Sequence, residues 1–260
     1  MIDKTCLTYW FPKIEAAGLP VPKTIIVGPT DVDFVRLFGG QRPKGLRAFL
    51  KTLQAAVDEI GYPCFLRTGQ TSAKHDWEKS CYLLAGSDLL AHVLAIVNFS
   101  ECVQIIGLDY RYWVVRELLP VTYACRLTAY GNMPLVREFR LFTKGGKVQC
   151  VHPYWPVDAV LRGSPDIRQW RRKLELHHRL APDEETMLRT LAERAASACP
   201  DADWSIDFIQ AGDWFLTDMA EAERSYHWPT CPNNPEQTEV KDRRQKRADR
   251  FARFMVRKTT

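Results

Sequence analysis

The 260-residue sequence has no C-x-x-C pair, no apolar run long enough to cross a membrane, and no internal repeat. Its eight cysteines are scattered singly, which argues against zinc ribbons and disulfide frameworks and favours reduced thiols in a cytosol. The N-terminus lacks a basic region followed by an apolar stretch, so we expect no secretory signal and a cytoplasmic location. Without a membrane-length apolar run, we expect no membrane partner.

The spacing of a P-loop, G-x-x-x-x-G-K-[ST], is also missing. What is present is typical of a globular chain with a substantial core, because 46% of the residues are hydrophobic and 11% aromatic. The length suggests one large or two small domains. The mild net charge of +5 favours anionic ligands such as nucleotides or RNA, without choosing between them.

A β-hairpin is predicted within residues 204–228, where two aromatic-rich alternating runs flank a turn containing Gly212. If Ala211 and Gly212 form the loop, Asp207 lies opposite Leu216 and diagonal to Asp218, so both aspartates share one face. The other face then carries side chains that can pack on a core, namely Ile206, Phe208, Phe215 and Thr217. The aspartates are either a site for a divalent metal such as Mg²⁺ or a strand end in water.

A strand ending at Arg67 is followed by the small polar loop 68–77, which contains Ser72 and Lys74. Such a loop can offer backbone N–H groups to phosphate oxygens, with Arg67 and Lys74 supplying positive charge. The alternative is a solvated turn.

The apolar run 112–119 predicts a largely buried strand that carries Arg116 and Glu117 near its end. Glu117 is either paired with Arg116 or a lysine, or it accepts hydrogen bonds from a ligand such as a ribose. The alternating run 135–143 places Glu138 and Arg140 on one strand face, with Arg140 opposite Val151 across a Gly-Gly hairpin turn. This charged pair is either a structural ion pair or the floor of a polar site.

The segment 240–258 is strongly basic, and its apolar residues fall on one helical face. It is either a helix that binds RNA or a protein partner, or an amphipathic terminal helix docked on the protein.

Several of these stretches follow one another in a known order. They are the Ser-containing loop and Lys74-His75-Asp76-Trp77 after Arg67, the strand with Arg116-Glu117-Leu118, the strand Glu138-Phe139-Arg140, and the Asp207/Asp218 hairpin. In this order they resemble the ATP-grasp superfamily. The resemblance is greatest to a divergent branch with phage and bacterial proteins and the eukaryotic cell-division-cycle chaperones that assemble translation initiation factor 2.

The resemblance covers roughly residues 60–230 and implies roles for individual residues. Arg67, Ser72 and Lys74 would hold ATP phosphates, and backbone groups of Arg116–Leu118 would bind adenine. Glu117 would bind the ribose, Glu138 would belong to the nucleotide site, and Arg140 would face the transferred phosphoryl group. Metal ligands would be Asp207, Asp218 and Glu221, because Ala220 stands where the family has a metal-binding Asn.

The implied fold is α+β, with two α+β lobes whose antiparallel sheets enclose ATP and Mg²⁺. We expect an N-terminal region over residues 1–60 packed on the grasp, a small lobe over 61–120, a large lobe over 121–232, and a basic, helical tail over 233–260. The implied activity is a ligase that activates a carboxylate of a small molecule or peptide as an acylphosphate, which an amine or thiol then captures. An ATP-binding assembly chaperone without turnover, or an RNA- or protein-tagging ligase, is the alternative.

Overall fold

The computed structural model describes residues 3–102 and 108–234. Within them the helices are α1 (Leu7–Ala16), α2 (Val35–Phe38), α3 (Leu46–Ile60), α4 (Leu89–Cys102), α5 (Val157–Arg162), α6 (Trp170–His177) and α7 (Pro182–Ala198). The strands are β1 (Thr24–Val27), β2 (Cys64–Thr68), β3 (Tyr82–Leu83), β4 (Trp113–Glu117), β5 (Tyr123–Leu127), β6 (Met133–Val136), β7 (Glu138–Lys144), β8 (Lys147–Pro153), β9 (Trp204–Ala211) and β10 (Asp213–Glu221). No helix in the described ranges is long and apolar enough to cross a membrane.

The smaller lobe is built on an antiparallel sheet with the strand order β1-β4-β2-β3. Helix α3 packs on this sheet because its apolar residues recur at helical spacing, and Phe49, Leu53 and Val57 are buried there. Gly61 ends the helix with a positive φ of 88°, a conformation that glycine adopts without steric cost.

The larger lobe is built on an antiparallel sheet with the strand order β10-β9-β7-β8. Helices α1 and α7 cover one face of it, and their apolar side chains share a core with Phe139, Leu141, Ile206 and Phe208. Full burial of each such side chain contributes roughly 1.5–3 kcal/mol. The opposite face stays free of helices α1 and α7 and carries the charged residues of strands β7, β9 and β10.

The first 60 residues contribute to both lobes. Helix α1 belongs to the core of the larger lobe, whereas β1 is an edge strand of the smaller sheet and pairs with β4. The reason is that β4 is buried on both sides and needs hydrogen-bonding partners along both edges. The predicted basic tail lies almost wholly outside the described residues, since 235–260 are not among them.

The hairpin of β9 and β10 is confirmed, but its register differs from the prediction. A bulge between Leu216 and Asp218 adds one residue to β10, so Asp218 pairs directly with Asp207. The turn also differs from the prediction, because Asp213 pairs with Ala211 across Gly212 and so Trp214 and Leu216 face the core. Beyond the bulge the alternation is reversed, and Met219 continues the core side. Phe215 and Thr217, which were expected in the core, are therefore not part of it.

A second bulge lies in the hairpin of β7 and β8, between Phe142 and Thr143. The Gly-Gly turn is formed as predicted, since Lys144 pairs with Lys147 across it. Because of the bulge, Arg140 lies opposite His152 instead of Val151. Glu138 and Arg140 nevertheless share the strand face that is turned away from helices α1 and α7.

Candidate functional site

A cavity of about 390 Å³ lies between the two sheets and is lined by residues from both. Its size is within the range of small-molecule and cofactor pockets. One part of its wall is apolar and is formed mainly by the segment that follows β4 and by β6, with the side chains Phe65, Leu118, Leu119, Val121, Met133 and Val136. The chemistry of this part suits a flat, uncharged ring.

The other part of the cavity collects charged side chains from five separate elements. Arg67 comes from β2, Lys74 from a short 3₁₀ turn, Glu138 from β7, Asp207 from β9 and Asp218 from β10. All five were predicted as site residues from the sequence, and the structure brings them together. Ser72 and Leu118, also predicted, line the same cavity.

Arg67 crosses the cleft from the smaller lobe to the larger one. Its Nη1 lies 3.2 Å from Oδ1 of Asp218, and its Nε donates to the carbonyl of Thr68 at 3.1 Å. The Arg67 side chain is buried, with only 5% of its residue surface exposed. A guanidinium at this depth needs anionic partners, which Asp218 supplies here and a phosphate group could also supply.

Arg140 holds Asp207 in a two-point ion pair on the face of the larger sheet. Its Nε donates to Oδ1 at 2.7 Å and its Nη2 donates to Oδ2 at 2.8 Å. Burial acts to lower the pKa of Arg140, but the adjacent Asp207 carboxylate outweighs it and the pKa is raised. The guanidinium also lies 4.6 Å from the centre of the Tyr154 ring.

Glu138 and Lys74 form a looser pair beside them. Lys74 Nζ lies 3.9 Å from Oε1 of Glu138, and Trp155 Nε1 donates to Oε2 at 3.1 Å. Burial raises the pKa of Glu138 to about 7, against the opposing effect of Lys74. Burial acts most strongly and lowers the pKa of Lys74, but Glu138, Tyr154 and Asp207 together outweigh it, so the pKa is raised and the ammonium persists at neutral pH.

The backbone before Lys74 is held in an unusual conformation. Ala73 has a φ of 51°, in the left-handed region that is uncommon for residues with a side chain. Its carbonyl accepts a hydrogen bond from the Ser80 hydroxyl at 2.8 Å. This turn directs Lys74 to the rings of Tyr154 and Trp155, at 4.1 and 5.0 Å from their centres.

Arg116 of β4 connects the smaller lobe to β10 of the larger lobe. Its side chain is buried, with 4% of the residue exposed, and its Nη1 donates to the carbonyl of Thr217 at 2.5 Å. Burial, followed by the neighbouring Arg67, lowers the pKa of Arg116 to about 9. Its Nε and Nη2 have no hydrogen-bond partner within the described part of the chain.

Glu117 lines the cavity and is not held by an ion pair with Arg116. Its Oε1 accepts a hydrogen bond from the backbone N–H of Lys23 at 2.7 Å, and its own N–H donates to the Lys23 carbonyl at 2.9 Å. Neither alternative drawn from the sequence included a backbone partner. The carboxylate is fixed at the mouth of the apolar part of the cavity, where it can accept further hydrogen bonds.

The structure does not bring Glu221 to the cleft. It pairs with Trp204, on the core side of the hairpin, and its carboxylate lies 3.7 Å from Arg224. Ala220 has the cleft-facing position instead. Its cross-strand partner Ser205 lies with its hydroxyl 2.5 Å from that of Ser225, so hydroxyl groups occupy the place next to the aspartate pair.

The pair of Asp207 and Asp218 suits a hard divalent cation such as Mg²⁺. Both carboxylates face the cavity from directly paired positions, and each oxygen that accepts one hydrogen bond keeps a second lone pair. Mg²⁺ is commonly held by one or two carboxylates together with water and phosphate oxygens. Asp207 and Asp218 are therefore enough protein ligands for Mg²⁺. The cation would share their carboxylate oxygens with the side chains of Arg67 and Arg140.

Sequence reasoning missed the aromatic residues that follow β8. Tyr154 contacts both Lys74 and Arg140 through its ring, and Trp155 donates to Glu138. Their position directly after the strand gives no pattern that distinguishes them from core aromatics. Their contacts with the charged residues become visible only in the structure, where β8 ends at the cleft.

Neither a scan against protein-family models nor a search of curated proteins found a match. Among solved structures, Cdc123 from Schizosaccharomyces pombe is 14% identical, with a TM-score of 0.50 over 84% of this chain and 83% of that one. A RimK domain ATP-grasp protein from Sphaerobacter thermophilus is 14% identical, with a TM-score of 0.44 over 84% of this chain and 58% of that one. An ADP complex of N5-carboxyaminoimidazole ribonucleotide synthetase is 13% identical, with a TM-score of 0.46 over 83% of this chain and 44% of that one.

These likenesses concern the fold, and a relation to phage and bacterial proteins stays a prediction. The observed architecture has two α+β lobes, each with a four-stranded antiparallel sheet, and a cavity between them. This is the arrangement that the order of the sequence motifs implied. The chain has an α+β ATP-grasp fold related to that of Cdc123.

Proposed function

We propose that this protein is an ATP- and Mg²⁺-dependent ligase that activates a carboxylate as an acylphosphate for capture by an amine or a thiol. The observation that carries the proposal is the meeting of Arg67, Lys74 and Arg140 with Asp207 and Asp218 beside an apolar cavity between two lobes. Such a site needs three parts. They are cations that bind phosphate, carboxylates that bind a metal, and an apolar wall that contacts the adenine ring.

In this proposal adenine occupies the apolar part of the cavity beside Leu118, next to the backbone of Arg116–Leu118. Glu117 would accept hydrogen bonds from the ribose hydroxyls. The loop containing Ser72 would cover the α- and β-phosphates, with Arg67 and Lys74 supplying positive charge. This placement is supported by the position of each of these residues on the cavity wall.

Asp207 and Asp218 would hold Mg²⁺, which supplies charge neutralisation between phosphate groups when bound. Arg140 would then exchange part of its bonding to Asp207 for the γ-phosphate. Glu138, whose pKa is raised to about 7, would keep Lys74 in position without adding a full negative charge at neutral pH. The catalytic contribution of the chain would be to place the groups and neutralise their charge.

The reaction would proceed in two displacements. A substrate carboxylate oxygen forms a bond to the γ-phosphorus while the bond to the bridging oxygen breaks and ADP leaves. An amine or thiol then forms a bond to the acyl carbon, its proton is lost, and phosphate leaves with the original carboxylate oxygen. Each lost contact to the transferred group is expected to cost about 2–4 kcal/mol of transition-state stabilisation.

The experiment uses carboxylates labelled with oxygen-18, drawn from a pool of small acids and peptides, together with ATP, Mg²⁺ and amine or thiol acceptors. We expect ADP and labelled inorganic phosphate in equal amounts with the correct pair. Product formation with unlabelled phosphate would contradict the acylphosphate. The carboxylate and its acceptor would first be identified by incubating the protein with ATP, Mg²⁺ and a cell extract and analysing the products by mass.

A second function, ATP binding without turnover as in an assembly factor, is favoured by one observation. Ala220 offers no side-chain oxygen beside Asp218, so the site has fewer metal ligands than the superfamily resemblance implies. Tight binding of Mg-ATP with no ADP formed in host extract would support this function over the ligase. RNA or protein tagging through residues 240–260 is a further alternative, and it requires salt-sensitive RNA binding that is lost when those residues are deleted.

All eight cysteines are free thiols, which supports a reducing compartment such as the cytoplasm as the site of this activity.

A further inference from the structure

Four side chains outside the cleft bring two thiols and two imidazoles together. Cys150 and His152 lie two residues apart on β8, and His227 and Cys231 lie in the segment after β10. One ligand atom from each lies within 4.8 Å of all the others. Cys150 Sγ and His227 Nε2 are 3.3 Å apart.

We propose that Cys150, His152, His227 and Cys231 form a structural zinc site that fixes the segment after β10 to the edge strand β8. Two cysteines and two histidines are a ligand set that structural zinc commonly uses, with four protein ligands in a tetrahedron and no open position. The usual Zn–S and Zn–N bond lengths place neighbouring ligand atoms about 3.3–3.8 Å apart. The observed cluster needs only a small contraction to reach that geometry.

The chemistry of the cluster without a metal supports the same assignment. His152 Nε2 is buried and has no hydrogen-bond partner among the described residues, which is unfavourable for an imidazole with no ligand to bind. Two thiolates and one Zn²⁺ together carry no net charge, so the filled site can be buried at little electrostatic cost.

The surroundings of the cluster match those of a built metal site. The backbone N–H of Asn233 donates to Cys231 Sγ at 3.4 Å, an interaction that stabilises a metal-bound thiolate. The His227 ring stacks on Phe142 with ring centres 4.0 Å apart, and the His152 ring stacks on Trp228 at 6.1 Å. These contacts fix the orientation of both imidazoles.

The proposed zinc would also act on the neighbouring cleft through Tyr226. The carbonyl of Tyr226, which directly precedes His227, accepts from Arg140 Nη1 at 3.5 Å. The apolar residues of this segment pack in a small cluster with Phe142, Cys150 and Cys231. Holding His227 and Cys231 by a metal would therefore stabilise the segment beyond what this small cluster provides.

The test measures zinc in the full chain, purified without a metal-binding tag and with oxygen excluded. We expect about one zinc ion per chain by mass spectrometry of the elements, and loss of at least nine-tenths of it in Cys231→Ser and in His152→Asn. The matched controls are Cys102→Ser, an exposed cysteine, and His177→Asn, a histidine outside the cluster; both keep the metal.

A measurement on the unchanged chain covers the case in which a variant fails to fold. Replacing zinc by cobalt(II) should give the intense visible bands of a tetrahedral site with thiolate ligands, and zinc should abolish them. Chelation should open Cys150 and Cys231 to alkylation and lower the melting temperature. A chain that lacks zinc after growth in zinc-supplemented medium and gives no cobalt bands overturns the proposal, as does a Cys150–Cys231 disulfide in the protein as purified.

Discussion

Arg140 and Asp207 are joined by two parallel hydrogen bonds of 2.7 and 2.8 Å, beside the cavity between the two lobes. The same two residues are cross-strand partners on β7 and β9. The pair therefore fixes the position of both side chains. It also means that ligand binding must redistribute these bonds, so affinity depends on the strength of the pair.

Removing the cation from this pair should destabilise the fold. In Arg140→Met the buried Asp207 carboxylate loses the cation that pairs with it directly, and we expect the free energy of unfolding to fall by roughly 3–5 kcal/mol. Denaturant titration measures this. The double variant with Asp207→Leu should recover most of the loss, because no buried charge remains uncompensated.

The control for that loss is an ion pair at the surface. Lys147→Met removes the partner of Glu193, where the lysine side chain is 74% exposed. Its effect on unfolding should be small beside that of Arg140→Met, because exposed ion pairs are screened by solvent. Equal losses in the two variants would contradict the view that burial makes the Arg140 pair strong.

Asp218 should matter for turnover and much less for stability. Asp218→Asn keeps an acceptor for Arg67 but removes the charge that a metal requires, so ADP formation should fall about 100- to 1,000-fold. Asp213→Asn, an exposed residue on the same strand, is the control and should leave the rate unchanged. Wild-type rates of ADP formation in Asp218→Asn would remove this residue from the metal site.

Lys74 should determine nucleotide affinity through its charge. Lys74→Met keeps the packing on Tyr154 and loses the ammonium, and a charged hydrogen bond of this kind is worth about 1.5–3 kcal/mol. We expect the dissociation constant of a non-hydrolysable ATP analogue to rise roughly 10- to 150-fold by calorimetry. The exposed Lys79→Met serves as the charge-matched control, and an affinity as low in it as in Lys74→Met would point to a general charge effect.

Stability should depend on pH through Glu138. Its pKa is raised by burial from 4.5 to about 7, so the folded chain holds a proton that the unfolded chain has lost at intermediate pH. The contribution of Glu138 to stability must then fall as pH rises from about 4.5 to about 7 and stay level above that. Glu138→Gln, which keeps an acceptor for Trp155, should lack this dependence.

The difference between wild type and Glu138→Gln is measured by denaturant titration across this pH range. It should change by on the order of 2 kcal/mol in favour of the variant as pH rises. A constant difference would mean that Glu138 ionises in the folded chain as it does in the unfolded one.

Much of the cleft could be predicted because its residues sit in short motifs whose order carries information. Arg67, Lys74, Glu138, Asp207 and Asp218 were each ambiguous alone. The alternation of side chains along strands placed Asp207 and Asp218 on one face, and Glu138 on one face with Arg140. The superfamily resemblance then joined them. The structure adds that Arg67 pairs with Asp218 and Arg140 with Asp207.

What could not be predicted depends on backbone irregularity and on distant segments. The bulge at Thr217 changes which residues of β10 reach the core, and alternation alone cannot reveal an extra residue. Glu221 lies three residues beyond Asp218 with no irregularity between them, so regular alternation itself places it on the opposite face. Cys150 and His227 come from elements far apart in the chain. The lack of C-x-x-C pairs argues against zinc ribbons, but it says nothing about a zinc site whose ligands are brought together only by the fold.

The most direct test of the central claim is a crystal structure of the chain with Mg²⁺ and a non-hydrolysable ATP analogue. We predict the base beside Leu118, the phosphates between Arg67 and Lys74, and the metal on Asp207 and Asp218. A saturated crystal with the nucleotide elsewhere, or a chain that binds none, would contradict the assignment of this cleft as an ATP site.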